Sequence, residues 1–176
     1  LYFDVYGESS KYESGEKFLK KVLDTNGEYE PALVGLYQLR KGNFQLQGRR
    51  TEEYLQRALS LNPKSVPALL ERSITLLRDR RFAASAEILD QALAINPRDK
   101  RVLAHRAAAA MLMREPEQSA DLRKRAFAVD QDFHELDVVF GDHLVALYRF
   151  ADAIPYFRRA LNGTPDSVGA LHGLAK

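Results

Sequence analysis

A six-residue stretch recurs four times in this chain at a constant spacing. The four copies are residues 58–63, 92–97, 126–131 and 160–165, which gives a 34-residue period, and each copy begins with alanine. Three of the four end with proline, a residue that cannot continue a helix. A fixed period of this length is typical of repeat proteins, in which each repeat packs mainly on its neighbours. The period therefore predicts an array of repeats rather than a single compact core.

Between these copies, apolar residues recur three and four positions apart, which is the spacing of one face of an α-helix. Leu69, Leu70, Ile74 and Leu77, for example, share one predicted helix. The pattern predicts helices at about residues 11–25, 29–40, 51–61, 65–79, 82–95, 99–113, 116–129, 133–147 and 150–162, with a further helix starting near residue 168. Residues 1–10 are interpreted as the tail of an earlier helix followed by a turn at residues 7–10. The prediction is an all-α chain with two helices in each period.

Small and aromatic residues in the last complete period have a spacing that is known from a repeat family. Gly141 comes first, and the following positions are Phe150, Ala153, Phe157, Ala160 and Pro165. This set resembles the tetratricopeptide repeat family. Two periods earlier, Leu69, Phe82, Leu89, Ala92 and Pro97 stand in the same register. The period between them departs from the family pattern at Arg106, Arg123 and Gln131.

The resemblance implies a right-handed α-solenoid of antiparallel helix pairs, whose first helices line a concave groove. We expect a single array over residues 1–176, with a partial repeat at 11–27 and complete repeats at 28–63, 64–97, 98–131 and 132–165. Residues 166–176 start a further repeat, and about four extra residues near 45–50 lengthen the first complete repeat. We interpret the chain as a fragment of a longer protein.

The register of the resemblance also implies which residues line the groove. They are Leu70, Ile74, Leu77, Arg78, Arg101, Ala104, His105, Ala108, Met111, Glu135, Val138, Asp142 and Val145. This mixture of apolar and charged residues would suit an extended or helical peptide that is anchored by apolar side chains and oriented by charge. The alternative is that another part of the parent protein fills the groove.

Two arginines on the predicted first helices stand where the family has apolar residues. Arg72 and Arg106 are one period apart, and so are the acidic residues Glu87 and Asp121 on the second helices. We expect both arginines to pair with acids on the second helices, such as Glu87 and Asp121, because an unpaired buried charge is costly. The alternative is a ladder of guanidinium groups presented to a partner.

No catalytic, cofactor-binding or metal-binding residue is predicted. The sequence has no cysteine, no Gly-x-Ser-x-Gly motif and no glycine-rich phosphate loop. The stretch that begins His134-Glu135 resembles a zinc-peptidase motif only in part, because Val138 occupies the position of the second histidine. We therefore expect no cofactor.

The favoured function is a protein–protein interaction module or scaffold that binds a partner protein or peptide in the groove. The alternative is a non-catalytic arm of a larger enzyme, such as a peptidase or a transferase, whose catalytic domain lies outside this fragment. A nucleic-acid partner is not expected: residues 32–131 hold 18 Lys/Arg against 11 Asp/Glu, but the interleaved aromatic residues of a stacking surface are missing. No membrane span is expected, and self-association through the ends of the array is a further expectation. A cytoplasmic location is slightly favoured over an exported parent.

Overall fold

The structure is a computed structural model, and it describes residues 5–41 and 49–175, with side chains from residue 14 in the first range and from residue 51 in the second. Every regular element in these two ranges is an α-helix. The helices are α1 (Val5–Thr25), α2 (Glu30–Lys41), α3 (Arg49–Leu61), α4 (Val66–Arg78), α5 (Phe82–Ile95), α6 (Lys100–Leu112), α7 (Pro116–Val129), α8 (Glu135–Ala146), α9 (Phe150–Gly163) and α10 (Val168–Leu174). The prediction of an all-α chain is confirmed for the described residues.

The predicted turn at residues 7–10 is wrong, because α1 continues through these positions from Val5. Glu8, Ser9 and Ser10 are compatible with a helix, and one glycine costs a helix only about 1 kcal/mol. Residues 1–4 and 42–48 lie outside the described residues, and so do most of the extra residues predicted near 45–50. The structure places residues 49 and 50 in the first turn of α3.

The chain divides into two compact units, one within residues 1–71 and one within residues 72–176. In the first unit α2 packs against α1 and α3. Its core contains Leu33, Val34, Tyr37, Leu55, Ala58 and Ala68. A buried glutamate, Glu71, accepts hydrogen bonds from Gln38 at 2.9 Å and from Lys41 on α2, so its charge is compensated inside this unit.

In the second unit α6 packs against α7, and α8 packs against α9, as expected for consecutive helix pairs. α6 also contacts α8, and α10 contacts both α8 and α9. One core cluster of this unit contains Leu144, Ala153, Phe157, Ala160 and Ala170. The first helices α6 and α8 therefore lie side by side, and their second helices cover them.

The recurring alanine is a buried position on the second helices. Ala92, Ala126 and Ala160 are at most 1% exposed. Four residues after each alanine, the backbone N–H of the residue that ends the helix donates to the alanine carbonyl. At Asn96 and Asp130 the side-chain oxygen then accepts from the backbone N–H two residues ahead, at 3.2 and 3.1 Å. Such a turn directs the chain into the next first helix.

A second periodic feature joins the two helices of a pair. Ser85 Oγ donates to the carbonyl of Ser73 at 3.0 Å, and Ser119 Oγ donates to the carbonyl of Ala107 at 2.9 Å. Both serines lie near the start of a second helix, and they are one period apart. These bonds satisfy hydroxyl groups that are buried between the two helices.

Candidate functional site

The structure places four of the predicted groove residues in the core. Leu70, Leu77, Ala104 and Ala108 are each at most 2% exposed. Neighbouring helices cover these side chains, so they offer no surface to a partner. Their burial has a packing reason: a first helix must contact both its own second helix and the adjacent first helices.

The remaining predicted residues keep some exposed surface, and all of them belong to the second unit. We define the first-helix face as Ile74, Arg78, Arg101, His105, Met111, Glu135, Val138, Asp142 and Val145. The four residues with formal charge, Arg78, Arg101, Glu135 and Asp142, are exposed, whereas His105 and the four apolar residues are half-buried. The two basic residues stand on α4 and α6, and both acidic residues stand on α8. The face therefore has apolar positions between charges of opposite sign.

Packing underneath holds the apolar part of the face in place. Met111, Val138 and Val145 contact the core cluster that contains Phe157. The hydroxyl of Tyr156 on α9 donates to Met111 Sδ at 3.2 Å. The second helix behind these apolar side chains thus holds them in place. Less conformational entropy is therefore lost when a partner binds.

The contact between α6 and α8 includes a pair of histidines. Nδ1 of His105 lies 2.8 Å from Nε2 of His143, and the ring centroids are 5.0 Å apart at an interplanar angle of 77°. His143 is 5% exposed. Burial, with a smaller contribution from the positive charge of Arg78, lowers the pKa of His143 from 6.5 to about 4. The sequence did not point to His143 as a site residue, because the two histidines do not stand one period apart.

The prediction that the two periodic arginines pair with acids on second helices is confirmed for Arg106, although with a different acid from the one named. Arg106 pairs with Asp90 on α5, where Nε lies 2.9 Å from Oδ1, and not with Asp121. Among the described side chains, no ion pair joins Arg72 to Glu87. The guanidinium group of Arg106 therefore reaches back to the preceding second helix rather than forward to the second helix of its own pair.

The fourth period holds an acidic residue where the two preceding periods have leucine. Asp137 occupies the position of Leu69 and Leu103, and it accepts hydrogen bonds from Arg123 on α7 at 3.2 Å and from Arg159 on α9 at 3.1 Å. The sequence showed Arg123 on an apolar position but not its partner. This cluster connects three helices and compensates its own charges, which makes it a structural feature rather than a site.

One further concave region lies in the first unit, between the end of α1 and the start of α2. It is a cavity of about 420 Å³ lined by Phe18, Lys21, Val22, Thr25, Asn26 and Tyr29. None of the predicted groove residues lines it. Among the described residues, no three histidine, aspartate or glutamate side chains are grouped as a metal ion would require. None of the described helices combines the length and the apolar character needed to cross a bilayer.

Comparison with known proteins identifies solved structures with a similar fold. No family model matches the chain, and no curated protein matches its sequence. Among solved structures, a thermophilic TPR protein of Thermus thermophilus is 17% identical, with a TM-score of 0.67 over 97% of this chain and 92% of that one. YrrB, described as a TPR protein with an unusual peptide-binding site, is 15% identical, with a TM-score of 0.59 over 89% and 79%. PilF of Pseudomonas aeruginosa is 16% identical, with a TM-score of 0.64 over 96% and 76%.

Proposed function

Because the chain has the tetratricopeptide-repeat fold, we propose that it is a non-catalytic interaction module that binds a segment of a partner protein on the first-helix face. The fold brings the first helices together, and they are where the repeats differ most from one another. YrrB supplies a precedent, since a protein of the same fold has a peptide-binding site. The observation that carries the proposal is the first-helix face, in which half-buried apolar residues lie among exposed charges.

The distribution of charge supports one kind of partner. Arg78 and Arg101 would attract acidic residues toward α4 and α6, whereas Glu135 and Asp142 would attract basic residues toward α8. Ile74, Met111, Val138 and Val145 would accept apolar anchor side chains. The proposed ligand is therefore a peptide segment with apolar anchors, acidic at one end and basic at the other.

A peptide library displayed on phage tests the proposal, since it requires no candidate partner. Random peptides are selected on the wild-type protein and then compared on Arg101→Glu and Val138→Asp. We expect enriched peptides with apolar anchors, and we expect both variants to reduce their binding at least about tenfold, which corresponds to about 1.4 kcal/mol. Arg101 is exposed, so its replacement leaves the core intact.

The matched control is Gln91→Asp on the exposed side of α5, which adds the same charge as Val138→Asp but lies on a second helix. It should bind the selected peptides as the wild type does. Peptides that bind all four proteins equally would show that the first-helix face is not the binding surface. A thermal melt of Val138→Asp separates lost binding from lost folding.

A further inference from the structure

The histidine pair between α6 and α8 is a buried titratable group that the proposed binding mode does not use. His105 is half-buried on the first-helix face, whereas His143 lies beneath it at 5% exposure. Their nitrogens approach to 2.8 Å, so one ring must donate a hydrogen to the other. The contact joins the two helices that carry most of the face.

The charges around the pair come from three helices. Arg78 of α4 acts on His143 electrostatically. On α6, Arg101 stands one turn before His105, and on α8 the exposed Asp142 adjoins His143 in the sequence. Arg78 opposes the addition of a further positive charge to His143.

The charged residues discussed next, on the helices that pack against α8, are either ion-paired or exposed. On α9, Arg149 pairs with Asp152 and Arg159 pairs with Asp137. On α10, His172 is exposed. On α6, Arg106 pairs with Asp90 and faces α5. Arg78 is therefore the charge that bears most directly on the buried member of the pair.

We propose that the His105–His143 contact makes the first-helix face sensitive to protons, so that acidification separates α8 from α6 and alters the surface on which a partner lies. The regulatory meaning of this contact rests on the proposed function, but the proton sensitivity itself does not. The device would operate between about pH 6.5, where an exposed histidine gains its proton, and pH 5.

The hydrogen balance explains why the closed arrangement resists protonation. The neutral pair holds one hydrogen between Nδ1 of His105 and Nε2 of His143. A first added proton resides on His105, which is nearer to solvent, and Nδ1–H then donates to Nε2 of His143. When His143 also gains a proton at Nε2, two N–H groups face each other 2.8 Å apart without an acceptor. Separated helices allow water to solvate both rings, so added protons favour the open arrangement.

The size of the effect follows from the pKa of His143. With a pKa of 6.5 when exposed and about 4 when buried, the opening equilibrium constant rises about 20-fold between pH 7 and pH 5. Amide hydrogen exchange, corrected for the intrinsic exchange rate at each pH, measures this constant for α8. The amides of α2, in the first unit, report the change that is unrelated to the pair.

The variant His143→Gln provides the decisive comparison, because glutamine can hydrogen-bond to His105 but does not titrate. Its α8 amides should show less than about a threefold change over the same pH range. Equal pH dependence in the wild type and in His143→Gln overturns the proposal. If the variant does not fold, NMR titration of the His143 ring in the wild type decides: a midpoint near 6.5 overturns the proposal, whereas a midpoint clearly below 6.5, with the α8 amides losing protection as the ring gains its proton, supports it.

These measurements need no partner, so their outcome is independent of the peptide selection. A proton-sensitive α8 in a protein that selects no peptides would refute the binding face and leave the device intact. If the protein selects peptides but its α8 is insensitive to pH, the binding face is supported and the proton-sensitive device is refuted. Repeating the peptide binding at pH 7 and pH 5 then joins the two: weaker binding at pH 5 in the wild type, but not in His143→Gln, is expected.

Discussion

Gly141 on α8 lies so close to Phe157 on α9 that a Cβ atom built on the glycine would stand 2.4 Å from Cε1 of the ring. The same ring meets Gly173 on α10, where a Cβ atom would stand 2.3 Å from Cζ. Phe157 is 1% exposed, so the ring has no room to turn aside. Two glycines on different helices thus hold one aromatic ring, and this contact brings α8, α9 and α10 together.

We expect Gly141→Ala to lower the free energy of unfolding by about 1–3 kcal/mol, because the added methyl group overpacks the contact with Phe157. Urea unfolding followed by circular dichroism measures the change. Gly35→Ala is the matched control: it is also helical, but its Cβ atom would stand 3.2 Å from Cδ1 of Leu19, a flexible side-chain end. It should change stability by less than about 1 kcal/mol, since the gain in helix propensity offsets the tighter contact. Equal losses in the two variants would contradict the close packing of Phe157.

The ion cluster around Asp137 allows a second prediction. The side chain of Asp137 is 13% exposed, while those of Arg123 and Arg159 are 26% and 50% exposed. Asp137→Asn should destabilise the protein by about 1–3 kcal/mol, because two guanidinium groups lose their anionic partner in a partly buried site. Arg159→Ala should cost less than about 1 kcal/mol, because that arginine is half exposed and Arg123 remains on the carboxylate. Thermal melts of the two variants measure the difference, and a larger loss for Arg159→Ala would show that Asp137 is not the centre of the cluster.

The periodic serines allow a third prediction, which uses the repeats as their own controls. Ser85→Ala and Ser119→Ala each remove one buried hydrogen bond to a carbonyl of the preceding helix, and each should cost about 0.5–1.5 kcal/mol. Alanine fits at this position, since Ala153 occupies it one period later at 1% exposure. Ala153→Ser is the reciprocal change, and it should not stabilise the protein, because its Cβ already packs in the core. Chemical unfolding of the three variants tests this order.

The sequence predicted the helices well because local patterns determine them. Apolar spacing, the periodic alanines and the residues that end each helix are all read within one repeat, and observed bounds such as Phe82–Ile95 and Pro116–Val129 match the predicted ones. The start of α1 differs most from its prediction, at Val5 against residue 11, and no repeat pattern marks its beginning. The 34-residue period therefore carries most of the information about the fold.

The candidate site was harder to predict, because its geometry depends on contacts between repeats. Leu77 and Ala104 belong to the expected face by register, yet their side chains are fully covered. The contact of His105 with His143 spans 38 residues and breaks the 34-residue period, so no repeat comparison points to it. The partner of Arg106 was missed for the same reason: periodicity shows which positions are equivalent, but not which neighbouring helix a long side chain reaches.

The turns between the helices of a pair have a strained residue at one periodic position. Arg80, Arg114 and Tyr148 follow one another at the period of the array, and their φ angles are 59°, 65° and 60°. This left-handed conformation costs an L-residue about 1–2 kcal/mol, whereas glycine adopts it freely. All three side chains are exposed, so little packing offsets the strain.

We expect Arg80→Gly and Arg114→Gly each to raise the free energy of unfolding by about 0.5–1 kcal/mol, because relief of the backbone strain exceeds the extra entropy that glycine loses on folding. The matched control is Arg125→Gly, which replaces an exposed arginine inside α7. It should lower stability by about 1 kcal/mol, since glycine is unfavourable within a helix. Urea unfolding of the three variants measures changes of opposite sign from the same substitution. A loss of stability in Arg80→Gly or Arg114→Gly would mean that the arginine side chain stabilises the turn by more than its backbone conformation costs.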